Sequence, residues 1–143
     1  MATVELRFSA LPEHVRTARL VAAAVARRAG VDEAVLDEVR LAVGEACSRA
    51  VGLHQGAGIT APVKVALIEE EKQFSIEVGD EAPRSAPGDR VPGSPADDAD
   101  AEEDEMGLAV ISGLVDDVEV AAGEHGGLIR MTWPTTPPTM TLG

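Results

Sequence analysis

Residues 12–54 carry two helical stripes built almost wholly from small side chains, and this pair constrains the fold more than any other feature. Val15, Ala18, Val21, Ala22, Val25 and Ala29 recur at helical spacing, while Arg16, Arg19, Arg27 and Arg28 fall mostly on the other side. Pro12 suits the first turn of this helix and Gly30 ends it. Asp32 can cap a second helix with Glu33 in its first turn, and the second stripe is Leu36, Val39, Val43, Ala46, Cys47 and Ala50. That pattern persists to about His54, and Gln55 to Gly58 reads as a loop. With no Tyr, two Phe and one Trp in the chain, the core depends on close approach of small residues rather than on aromatic bulk.

Strand patterns flank the helices. Val4, Leu6 and Phe8 alternate with Thr3, Glu5 and Arg7, as in a half-buried strand. Val63, Val65 and Leu67 form a second alternation and Phe74, Ile76 and Val78 a third, with Glu69 to Gln73 as a hairpin turn between them. From Gly79 to Met106 apolar periodicity stops: four prolines and an acidic run replace it. Order returns with Leu108, Val110, Ile111, Leu114 and Val115 at helical spacing, a strand from Val118 and Val120, a turn over Gly123 to Gly127, and a strand over Leu128 to Trp133. The order β-α-α-β-β-(loop)-α-β-β predicts an α+β two-layer sandwich: a mixed, largely antiparallel sheet with helices on one face. One domain over 1–133 is expected, with an acidic lid loop at about 80–106 and a flexible tail at 134–143.

Charge narrows the function classes. Formal net charge is −13, and seven acids crowd into Asp97 to Glu105, leaving −6 for the remainder. Such a surface disfavours nucleic acid, whose phosphates need a basic partner. The longest apolar run, Leu20 to Ala26, has seven residues, well short of the roughly 20 of a membrane helix. The N-terminus shows no export signal, and the lone Cys47 cannot close an intrachain disulfide and reads as a small core residue. Together these predict a cytoplasmic protein. His14, His54 and His125 have no metal-ligand spacing and read as surface or helix-end residues.

Three stretches carry a family resemblance: "LPEHVRTARLVAAAVARRAGV", "LDEVRLAVGEACSRAV" and "EMGLAVISGLVDDVEV". The chain resembles the GHKL (Bergerat-fold) ATP-binding superfamily, in the branch of small bacterial anti-sigma factors that are also serine kinases. The second stretch is similar to the helix holding the N-box. The resemblance implies Glu45 as the catalytic general base, but the N-box asparagine, a Mg²⁺ ligand in the family, is Arg49 here. A guanidinium offers donors and no acceptor, so it cannot ligate a metal. In "VGDEAPR" the resemblance places Asp80 as the carboxylate that accepts from the adenine amino group, but Ala82 and Arg84 stand where the family has glycines. In "EMG" Gly107 is kept, with Leu108 after it on the phosphate side, while Glu105 replaces the first lid glycine.

Each departure opposes nucleotide binding. The resemblance therefore implies a degenerate site in which Glu45 and Arg49 pair with each other at i, i+4, a contact worth only about 0.3–0.5 kcal/mol when exposed. The competing expectation is that Arg49 replaces Mg²⁺ by touching phosphate directly. ATP is the cofactor the resemblance implies, and the donor set argues against Mg²⁺. The implied partners are a sigma factor and an anti-anti-sigma antagonist, with a homodimer allowed. The expected role is a regulator that switches between these partners; the alternative is an active ATP-dependent serine kinase acting on its antagonist.

Overall fold

The computed structural model describes residues 2–83, 110–115 and 117–135. Strand β1 (Ala2–Phe8) leads into helix α1 (Pro12–Ala29), and Asp32 then caps a 3₁₀ turn over Glu33–Val35 by accepting from the Ala34 N–H at 3.0 Å. The cap thus belongs to this short turn, and helix α2 (Leu36–Ala57) starts immediately after it. Strands β2 (Val63–Glu69), β3 (Gln73–Asp80), β4 (Asp117–Gly123) and β5 (Gly126–Pro134) complete the sheet. Residues 110–114 are helical, matching the stripe expected there; Leu108 lies outside the described residues.

The sheet order is β1-β2-β3-β5-β4, and every pairing is antiparallel. The two-layer α+β sandwich is therefore the observed architecture, with a sheet more uniformly antiparallel than expected. Helices α1 and α2 both pack on β2 and β3. Alternation decides which face each strand residue takes: Val65, Leu67, Phe74, Ile76, Val78, Ile129 and Met131 are buried beneath the helices. Ala18, Ala22, Ala26, Ala42, Ala46 and Ala50 are all at most 2% exposed, so the helix seams are made of methyl groups. Gly44 extends this economy, because a Cβ there would lie 2.7 Å from Cδ of Arg19, whose stem crosses α2 at that point.

Two element ends differ from expectation. Helix α2 runs three residues past His54 and stops at Gly58, a left-handed cap (φ 67°) whose N–H bonds back to Gln55. The β4–β5 turn is tighter than Gly123 to Gly127, since both strands continue to Gly123 and from Gly126. Pro134 ends β5 instead of opening a tail, and the Thr135 N–H donates to the Lys72 carbonyl at 3.1 Å.

Cys47 is fully buried in the core, as its helical position predicted. Burial pushes its thiol from an ordinary 9.0 up to about 12. The folded thiol keeps its proton where the unfolded chain's thiol has ionised. Its contribution to stability is therefore complete below about pH 9 and is lost as pH rises towards about 12. In native buffer near neutral pH, Ellman's reagent is expected to leave Cys47 untouched until denaturant is added; stoichiometric labelling of the folded protein would contradict its burial.

Candidate functional site

The candidate site follows the seam between the second half of α2 and the exit of β3. At about 100° and 1.5 Å per residue, Arg49 lies about 140° round the helix from Gly44 and about 7.5 Å along the axis from His54. Because Gly44 meets Arg19 of α1, this puts Arg49 on the flank away from α1, with Glu45 one turn earlier. Both side chains are half-buried, and Nε of Arg49 is enclosed by protein. Asp80 ends β3, and His54, on the last turn of α2, bonds to the residue after it. Glu45 and Arg49 thus lie on α2 and Asp80 at the end of β3, two elements that pack against each other.

The expected pairing of Glu45 with Arg49 is not made: among the described residues no ion pair joins them. Arg49 and Asp80 both have partners, and Glu45 is not one of those of Arg49. The physical reason lies in their placement. Arg49 borders the buried stripe, close to Ala46 and Ala50, and its Nε is drawn into protein, whereas Glu45 sits farther from that stripe. Gly107, Leu108, Arg84, Glu105 and the acidic run of 97–105 lie outside the described residues.

The end of β3 is held from three directions. Asp80 is 7% exposed, and its Oδ1 accepts from the Ala82 N–H at 3.0 Å. Ala82 is itself buried, with its methyl group where a glycine would have left space. His54 is wholly buried: its Nδ1 lies 2.9 Å from the Ala61 carbonyl and its Nε2 accepts from the Glu81 N–H at 2.9 Å. From above, the β4–β5 hairpin closes on the same peptide. A Cβ on Gly126 would stand 2.0 Å from the Asp80 carbonyl oxygen, and Gly126 has a φ of 122°. Gln55 adds a further tie at this end, its Nε2 donating to the Ala10 carbonyl at 3.2 Å.

Of the surface or helix-end placements expected for the histidines, His54 takes the helix end and not the surface. It is fully enclosed there. The signal was available, because it extends the Val43, Cys47, Ala50 stripe by one turn. His125 is exposed, and His14 is half-buried with its ring 6.3 Å from that of Phe8. On the opposite face of the sheet, Arg130 reaches Glu70 at 3.1 Å and Glu77 at 3.7 Å. A depression of about 190 Å³ on that face is lined by Arg7, Lys64, Glu77, Gly79 and Leu128; Glu45, Arg49, His54 and Asp80 do not line it.

Residues 8–133 match the histidine kinase-like ATPase domain family, and the chain belongs to that family. Within it, the chain is similar to the serine-protein kinase RsbW of Oceanobacillus iheyensis, at 26% identity over 136 residues that span 90% of this chain and 84% of the relative. Its fold is similar to that of the solved RsbU and RsbW domains of Rv1364c from Mycobacterium tuberculosis. That match has a TM-score of 0.68 at 17% identity and covers 96% of this chain and 33% of the other. The chain thus spans about a third of that two-domain structure. Among the described residues no helix is long and apolar enough to cross a membrane.

Proposed function

We propose that this chain is a partner-switching regulator of the anti-sigma type whose nucleotide site has lost Mg²⁺-dependent phosphoryl transfer. The observation that carries this reading is Arg49, which occupies the N-box amide position on the flank of α2 with its Nε enclosed by protein. The residue at the metal-ligand position does not fit Mg²⁺, because a guanidinium has no lone pair to give. The end of β3 supports the same reading. An adenine amino group needs an accessible acceptor, whereas Asp80 is 7% exposed, bonded to the Ala82 N–H and covered by the buried Ala82. Binding then does the work: a sigma factor and an antagonist protein compete for one surface of the domain, in the cytoplasm.

The alternative, an active kinase, is favoured by the retention of Glu45 in a half-buried position. Capture from native lysate of the source organism separates the readings. Tagged chain is expected to retain a sigma factor or a small antagonist, and the antagonist is expected to gain no phosphoserine on incubation with the chain, ATP and Mg²⁺. Recovery of neither protein, or serine phosphorylation that disappears in Glu45→Gln, would overturn the proposal.

A further inference from the structure

His54 is 0% exposed, and both ring nitrogens are occupied by backbone groups of opposite character. A carbonyl can only accept and a peptide N–H can only donate. The Ala61 carbonyl therefore requires the proton on Nδ1, and the Glu81 N–H requires a lone pair on Nε2. Only one neutral tautomer, in one ring orientation, satisfies both. The ring links the chain entering β2 to the chain leaving β3, and the anchored peptide is the one between Asp80 and Ala82. Because the Ala82 N–H binds Asp80 Oδ1, the Glu81 peptide and the Asp80 carboxylate move together. The β4–β5 hairpin leaves them no room on the other side, with Gly126 packed against Asp80 and Glu81.

We propose that His54 is a positioning residue for Asp80: a neutral imidazole that fixes the Glu81 peptide and thereby holds the Asp80 carboxylate turned in onto the Ala82 N–H. His54 acts through the backbone and does not touch a ligand itself. The inference deepens the reading of Asp80 as an enclosed carboxylate closed to adenine and rests on it, whereas the tie is a property of the chain alone.

The test uses the full chain. Long-range proton–nitrogen spectra of the unmodified protein are expected to show Nδ1 protonated and Nε2 unprotonated at neutral pH; a proton on Nε2 overturns the proposal. Two variants then separate positioning from packing. In His54→Asn the side-chain amide nitrogen stands near the position of Nδ1, so the Ala61 bond is kept and the Glu81 bond is lost. In His54→Gln the longer side chain brings its amide oxygen within reach of the Glu81 N–H. Hydrogen exchange at Glu81 and Ala82 is expected to speed up at least about fivefold in the Asn variant relative to the Ile76 amide, the change that losing one ordinary hydrogen bond gives. It should return towards the unmodified rate in the Gln variant. Equal acceleration at all three amides, or none at Ala82, overturns the proposal. Trp133 fluorescence reports whether each variant folds; if neither does, the tautomer measurement decides. Titrating the unmodified protein with Mg–ATP judges the nucleotide reading separately, because Mg²⁺-dependent binding would overturn that reading while leaving the tautomer and exchange results standing.

Discussion

Gly126→Ala is expected to lower stability by about 3–5 kcal/mol, and the midpoint of thermal unfolding by about 10 °C or more. Two independent penalties combine. Gly126 has a φ of 122°, a backbone region that L side chains rarely enter. The added methyl group would also stand 2.0 Å from the Asp80 carbonyl oxygen and 2.9 Å from Cα of Glu81. The obstacle is backbone, which cannot swing aside as the end of a side chain can. Gly44→Ala provides the contrast, because the atoms nearest its Cβ all belong to the flexible Arg19 side chain, the closest being Cδ at 2.7 Å. That variant is expected to lose far less and is offset in part by the better helix propensity of alanine. Denaturant melts followed by Trp133, 4% exposed and the only tryptophan, measure both. Equal stability of the two variants would show that the β4–β5 hairpin does not bear on the end of β3.

His54→Leu is expected to destabilise the fold by about 2–4 kcal/mol, although hydropathy would favour leucine at a fully buried helix position. The apolar contact is roughly preserved, but the Ala61 carbonyl and the Glu81 N–H both lose their partners. An unsatisfied backbone group in a buried setting is expensive because water cannot replace the lost bond. Denaturation midpoints check this. A leucine variant as stable as the unmodified chain would mean that the two bonds contribute nothing, and that His54 is held by packing alone.

The layout was legible because it depends on local periodicity. Val4, Leu6 and Phe8 alternate, the Ala/Val stripes recur at helical spacing, and Phe74, Ile76 and Val78 alternate again; each became the element its pattern predicts. The β2–β3 and β4–β5 hairpins followed from short turns. The Glu45–Arg49 pairing failed because helical spacing gives proximity and not direction. Arg49 is partnered elsewhere and its Nε is enclosed, which depends on what packs against that flank. The Gly126 contact was invisible, because it joins residues 46 apart through a sheet order in which β3 pairs with β5. The burial of His54 was legible: its place on the buried stripe outweighs its polarity because the Ala61 and Glu81 backbone groups satisfy it.

We propose that the arginine at position 49 and the enclosed Asp80 have ended Mg²⁺-dependent nucleotide binding between α2 and the end of β3. Isothermal titration of the full chain with ATP, with and without Mg²⁺, tests it most directly. No saturable binding tighter than about 1 mM is expected in either buffer, and no gain on adding Mg²⁺. Micromolar ATP binding that requires Mg²⁺ would contradict it.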